Sequence, residues 1–454
     1  MKIFNPATLA EIADVPADTA ESVARKYARA RAAQPAWAAT PIEDRLVAIQ
    51  GFRDALIAKM DTLALTLTRE MGKPVSQARN EIAAMNGRLE FFLKATADLL
   101  KPERVFQSEG LEEIIDHEPL GVVANISAWN YPYFVGSNVF APALLTGNVV
   151  LYKPSELTSL TGLAIADMLH AAGVPEDAFI PIIGGAEAGQ ALIAQPIDAL
   201  FFTGSYGTGR RLAEATAGRL FKTQFELGGK DPTYVCDDVD VRTAAEGLAD
   251  GAFYNAGQSC CSVERLYVHE RIAPAFLEAF VNTVKGFVVG DPEATATYIG
   301  PLARAQQIQV LEAQVKDAVG KGARLLCGGK RADRAGNYFE PTVLASVTNS
   351  MSVMREESFG PIIGIEAVAN DDVAVARMND TDYGLTAGVY TPNRARATDI
   401  LKKVNAGSVY WNCCDRVSPR LPWTGRKNSG LGSTLSKVGI TAFVQPKAWH
   451  LRSA

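Results

Sequence analysis

From Asn148 to Gly229 the chain alternates two kinds of short segment. "NVVLYKP", "AFIPIIG", "DALFFTG" and "FKTQFELGG" have the length and apolar content of buried strands. Between them, "TSLTGLAIADMLHAAG", "AEAGQALIAQ" and "YGTGRRLAEATAG" repeat apolar residues at helical spacing. Strands that are apolar on both faces need cover on both faces, and strands joined through helices become parallel neighbours. A parallel sheet between helix layers is therefore expected. A second alternating series runs from Pro232 to about Trp411, which predicts two α/β domains in sequence with a boundary near Gly228-Gly229. A ligand cleft is expected at the carboxyl ends of the strands.

The preceding residues add helices and two strands. "TAESVARKYARARAAQPAW" and "PIEDRLVAIQGFRDALIAKMDTLALTLTREMG" carry apolar residues three and four apart, so the first hundred residues read as helical. "EEIIDHE" (Glu112–Glu118) and "GVVANIS" (Gly121–Ser127) read as strands. No charged residue occurs from Pro119 to Tyr152, a length that could span a bilayer. Asn125, Asn130, Asn138, Asn148, Pro132 and Pro142 interrupt it, so it reads as buried strand, loop, short helix and buried strand.

Bulk properties exclude some function classes. A length of 454 residues allows two or three domains, and 48% hydrophobic with 21% charged residues is ordinary for a globular chain. A net charge of −5 gives no footprint for nucleic acid or an anionic membrane. The stretch "MKIFNPATLA" has no signal-peptide core, and a cytoplasmic location is expected. The six cysteines contain no C-x-x-C, and His117, His170, His269 and His450 are scattered, so no metal site is expected.

Several segments carry candidate chemistry. In "FFTGSYGTGR" a buried strand ends at Thr203-Gly204-Ser205 and enters a helix whose free N–H groups suit phosphate, although the spacing is not G-x-G-x-x-G and a tight turn fits as well. Lys153 and Glu156 of "LYKPSE" lie just past a strand, placed for a ribose or for solvent. Glu226 in "QFELGGKDP" is a candidate base or an N-cap. Asn130 in "SAWNYP" can donate to an oxyanion or to a loop carbonyl. Glu356 and Glu357 in "MREESFGPI" read as a ligand edge or a solvated loop. In "NAGQSCCSVERLYVHE", Cys260 or Cys261 can be a nucleophile or a core filler; on the residues alone neither is singled out.

Taken together, "AWNYP", "KPSE", "FTGS", "FELGGK", "NAGQSCC", "EESFGP", "NDTDYGLTAGV" and "PWTGRKNSGLG" resemble the aldehyde dehydrogenase superfamily in order and spacing, from about Phe4 to Leu451. The resemblance implies two Rossmann-like α/β domains plus a small β oligomerisation arm. Residues 1–100 and 120–227 would form the NAD-binding domain, 228–428 the catalytic domain, and 101–119 with 440–454 the oligomerisation strands. It implies that Cys260, two residues after Gln258, is the nucleophile, Glu226 the base for deacylation, and Asn130 the oxyanion donor. Ser127, Trp129, Lys153, Glu156, Gly204, Ser205, Glu357 and Phe359 correspond to cofactor contacts. Tyr131, Phe134, Asn138, Tyr254, Ser259, Cys261, Val417 and Trp423 correspond to substrate-pocket walls. Ala128, Thr424 and Phe443 depart from the family's usual residues without removing a chemical group.

The resemblance further implies NAD(P)-dependent oxidation of an aldehyde to an acid through a thiohemiacetal and a thioester. Glu226 argues against the coenzyme-A-acylating branch and against an acyl-phosphate reductase. The set Cys260, Glu226 and Asn130 argues against a non-catalytic relative. Glu156 favours NAD over NADP, because a carboxylate at the ribose repels a 2′-phosphate. Succinate-semialdehyde dehydrogenases carry arginines at the positions of Asn138 and Tyr254, so that substrate is disfavoured and a medium-sized aldehyde is expected. Arg416 and Arg420 before Trp423 can draw a carboxylate or be solvated. A homodimer or homotetramer is expected, with no nucleic acid or membrane partner.

Overall fold

The computed structural model describes residues 1–453. Its first large sheet has six strands in the spatial order Gly430–Leu431, Lys222–Glu226, Ala199–Thr203, Val122–Ile126, Val149–Lys153 and Phe179–Pro181. All run parallel except Gly430–Leu431, which pairs antiparallel with Lys222–Glu226. Val122–Ile126 and Val149–Lys153 are buried along their whole length, as doubly apolar strands require. From Val122–Ile126 the chain builds outward to Phe179–Pro181, then returns to place Ala199–Thr203 on the other flank. Ser127 and Gly204 therefore stand at the topological switch point, where such sheets open a crevice.

The second sheet has seven strands in the order Arg324–Cys327, Thr342–Ala345, Ile362–Val368, Val263–His269, Asp231–Val235, Thr386–Tyr390 and Ser408–Trp411. Only the edge strand Arg324–Cys327 is antiparallel. Each sheet has its own apolar core, but Cys261, Leu385 and Trp423 pack into the core of the first sheet. The glycines between Glu226 and Asp231 join the two sheets. A Cβ on Gly228 would collide with the Glu357 carboxylate, and one on Gly229 would stand 2.9 Å from Cys260 O. This pair lets the loops of Glu357 and Cys260 approach the end of the Glu226 strand.

The charge-free segment is strand Val122–Ile126, helix Pro132–Leu145 and strand Val149–Lys153. The helix begins on Pro132, where a missing N–H costs nothing, and is buried on nearly every side. No helix among the described residues is long and apolar enough to cross a membrane. The helical stretch Pro41–Gly72 forms two helices, Ile42–Ala58 and Met60–Met71, which meet at Lys59 with φ −106° and ψ 13°. One expectation needs correction. The first hundred residues also contain an antiparallel pair, Lys2–Phe4 with Glu11–Asp14, too short for its period to register.

A third sheet stands apart. Leu111–Pro119 lies between Glu103–Ser108 and Val444–Arg452, the last paired from Val444↔Pro119 to Arg452↔Leu111. Both outer strands are exposed almost throughout.

Candidate active site

Cys260, Glu226 and Asn130 line one cavity of about 630 Å³, although they come from three distant parts of the chain. Tyr131, Phe134, Asn138, Tyr254, Ser259, Cys261, Val417 and Trp423 line the same cavity. No histidine does.

The cysteines sit on a turn with unusual backbone. After helix Val241–Phe253, Asn255 (φ 53°), Ala256 (φ 54°) and Gly257 (φ 70°) are all left-handed. Such conformations are costly for non-glycine residues and need external support. Asn255 N donates to Gln77 Oε1 at 2.9 Å, and Asn255 Nδ2 donates to Gln258 O at 3.1 Å. Gln258 Nε2 donates to Asn255 O at 3.0 Å, and Gln258 Oε1 accepts from Ala303 N at 3.0 Å. A Cβ on Gly257 would collide with Gly360 O, so the turn is seated directly against the Glu357–Gly360 loop. The result leaves Cys260 half-buried at the cavity and Cys261 buried in its wall.

The neighbouring thiols differ in chemistry. Cys261 Sγ donates to Asp415 Oδ1 at 2.8 Å and lies 3.5 Å from Ser259 Oγ. Its hydrogen bond with Cys260, burial and the Asp415 carboxylate hold the Cys261 thiol well above the ordinary thiol range. Cys261 is thus disfavoured as a thiolate.

Asn130 is buried and its loop is clamped. Asn130 O accepts from Lys73 Nζ at 2.6 Å and from Asn255 Nδ2 at 3.3 Å. Lys73 also pairs with Glu81 at 2.5 Å, with both side chains wholly buried. Glu81 Oε1 accepts from Tyr133 N at 3.0 Å and Phe134 N at 3.4 Å. One buried ion pair therefore holds both sides of the Asn130–Phe134 loop, and Lys73 Nζ lies 3.7 Å from the Tyr131 ring centroid. Asn130 Nδ2 donates one proton to Gln258 O at 3.2 Å and has a second to give. The Cys260 N–H meets no acceptor among the described residues.

Glu226 ends the strand Lys222–Glu226 and is buried. Its carboxylate accepts from Thr434 Oγ1 and, at 3.0 Å, from Gln224 Nε2. Burial pushes its carboxyl up to about 7, against those two hydrogen bonds and the nearby Arg88 charge. Near neutral pH it exchanges protons readily, as a base requires.

Of the remaining predicted residues, Ser127, Lys153, Gly204 and Ser205 form a second cluster at the ends of neighbouring strands of the first sheet. Ser127 follows Val122–Ile126, and its buried Oγ has no partner. Lys153 ends the adjacent strand; its Nζ donates only to Pro154 O at 3.3 Å, and burial lowers its pKa. Glu156 is exposed at the start of the turn Glu156–Thr158. Gly204 and Ser205 precede helix Tyr206–Thr216, whose N-cap Ser205 provides no side-chain cap. Trp129 and Phe359 meet edge to face at 5.4 Å. Glu357 accepts from Gly229 N at 3.1 Å, and burial with the Glu264 charge raises its pKa.

Several contributors are not evident from the sequence. Gln77, Glu81 and Arg88 lie on one face of helix Val75–Leu99, polar residues at helical spacing that point to the cavity. That spacing is the available signal, and the apolar stripe of the same helix masks it. Lys73, Asp415, Thr434 and Glu264, which holds Phe359 N at 3.0 Å, act through contacts between distant segments and leave no local signal. Of the departures, Phe443 stacks on Phe201 at 4.4 Å, and Thr424 Oγ1 donates to Gly432 O at 2.7 Å.

Residues 1–449 match the model of the aldehyde dehydrogenase family. Aminoaldehyde dehydrogenase 2, peroxisomal, of Malus domestica is 35% identical over 98% of this chain and 91% of its own. A succinate-semialdehyde dehydrogenase [NADP(+)] of Deinococcus radiodurans is 34% identical over 92% and 88%. Among solved structures, an E. coli NADP dependent enzyme superposes with a TM-score of 0.96 at 32% identity, over 100% of this chain and 94% of that one. Betaine aldehyde dehydrogenase from Staphylococcus aureus in complex with NAD+ gives 0.95 at 29% identity, over 100% and 92%.

Proposed function

Since the chain belongs to the aldehyde dehydrogenase family, we propose that it oxidises an aldehyde to a carboxylic acid with NAD or NADP, through a covalent intermediate on Cys260. The convergence of Cys260, Glu226 and Asn130 on one cavity carries this reading. The Cys260 thiolate adds to the aldehyde carbon, and the oxygen takes up negative charge. The free Asn130 Nδ2 proton and the Cys260 N–H are the donors available to it. Bound nicotinamide supplies the hydride acceptor. Loss of the hydride leaves a thioester on Cys260. Glu226 then takes a proton from water, which attacks the thioester and releases the acid.

The second cluster fits a dinucleotide. The orphaned Ser127 Oγ and nearly unpartnered Lys153 Nζ offer donors, and the uncapped N-terminus of helix Tyr206–Thr216 suits phosphate. The exposed carboxylate beside them is Glu156, and it favours NAD because it repels a 2′-phosphate. The exposed strands Glu103–Ser108 and Val444–Arg452 support assembly into a homodimer or homotetramer, since open strand edges invite pairing. Six free cysteines suit a reducing compartment such as the cytoplasm.

The test is NADH formation across a panel of aldehydes. Cys260→Ala should abolish it, whereas Cys261→Ala should retain turnover. Turnover that survives in Cys260→Ala and is lost in Cys261→Ala would reverse the assignment.

A further inference from the structure

Arg88 is the charged group that the reaction above leaves unused. It projects from helix Val75–Leu99 into the cavity and is 4% exposed. Its guanidinium donates to Asn138 Oδ1 and lies 4.2 Å from the Phe134 ring centroid. Asn138 Oδ1 is its one hydrogen-bond acceptor among the described residues, and Nε is buried without a partner. The Glu226 and Glu81 charges act on it from farther off, but its only hydrogen bond among the described residues goes to a neutral amide. A buried cation with no direct anionic partner is costly, and an anion that enters the cavity relieves the cost.

The acidic groups of the cavity are already engaged. Glu81 is held by Lys73 and two backbone N–H groups, Asp250 accepts from Tyr298 OH at 2.5 Å, and Asp415 accepts from Cys261. Glu226 is held by Thr434 and Gln224. Arg416 and Arg420 are on the cavity rim, where they attract anions from solvent. The chain has no arginine at position 138 or 254, but the fold brings one to Asn138 from another helix.

We propose that Arg88 is a specificity-determining residue that holds the carboxylate of an ω-oxo acid, so that the preferred substrates are aldehydes with a carboxylate at the far end. This rests on the aldehyde-oxidising reading above. Asn138 fixes one edge of the guanidinium and the Phe134 ring supports its face, which leaves the remaining N–H groups for the carboxylate.

The test compares kcat/KM for 4-oxobutanoate and 5-oxopentanoate with butanal and pentanal, using NAD+. Wild type should favour the oxo acids by roughly 10- to 100-fold, the range of a charge-assisted hydrogen bond. Arg88→Gln and Arg88→Met should collapse that ratio, mainly through KM for the oxo acids. Both substrate types use Glu226, so its loss of a neighbouring charge cancels in the ratio. Glutarate binding to wild type, measured by calorimetry, needs neither turnover nor a variant. Preference for the uncharged aldehydes or for 3-aminopropanal, or no glutarate binding, would overturn the assignment. Glutarate binding without oxidation of any aldehyde would instead defeat the reaction and leave the anion site standing.

Discussion

Thr434→Val tests how the protein sets its working pH. The Glu226 carboxyl stands at about 7 rather than 4.5, raised by burial and restrained by Thr434, Gln224 and Arg88. As a base it must be ionised, so thioester breakdown should rise about tenfold per pH unit below about 7 and level off above about 8. Removing the Thr434 hydroxyl takes away one donor to the carboxylate. A hydrogen bond to a charged group is worth about 1.5–3 kcal/mol, and about 1.4 kcal/mol moves a pKa by one unit. The acidic limb should therefore move alkaline by roughly one to two units, with the plateau largely kept. Stability has a definite sign too. A carboxyl raised by folding adds stability that is complete below 4.5 and lost as pH climbs through about 7, a difference of about 3 kcal/mol. Glu226→Gln should therefore gain stability relative to wild type as pH rises to about 8. Acid-quenched single turnovers would follow acyl-enzyme decay against pH, and denaturant melts would follow stability. Decay independent of pH between about 6 and 8, or an unmoved limb in Thr434→Val, would refute the reasoning.

Two further perturbations test the supporting structure. Gly257→Ala combines φ 70° with a Cβ that collides with Gly360 O, and should cost at least about 2 kcal/mol in denaturant melts along with most activity. Unchanged stability would show that the turn is not braced against that loop. Glu156→Gln should raise the NADP/NAD ratio of kcat/KM several-fold; an unchanged ratio would place Glu156 away from the ribose.

The two sheets were legible because their strands are apolar on both faces, as in Val122–Ile126 and Val149–Lys153. Glu103–Ser108 was not legible from pattern, because every one of its residues is exposed and no apolar alternation marks it; only the family resemblance, which implied strands over 101–119, pointed to it. At the site, the residues alone left Cys260 and Cys261 open and only the family resemblance implied Cys260; the structure adds a physical reason in the Cys260 hydrogen bond, burial and the Asp415 carboxylate, which together disfavour the second thiolate. Arg88 was missed because a single arginine in an amphipathic helix reads as a solvated residue until the fold shows which face is buried.

In the proposed reaction Cys260 carries the acyl group and Glu226 releases it. The most direct measurement is peptide-mapping mass spectrometry of Glu226→Gln after reaction with an oxidisable aldehyde and NAD+. One equivalent of NADH and an acyl adduct on Cys260 are expected. An adduct on Cys261, or sustained turnover with no adduct, would contradict that reaction.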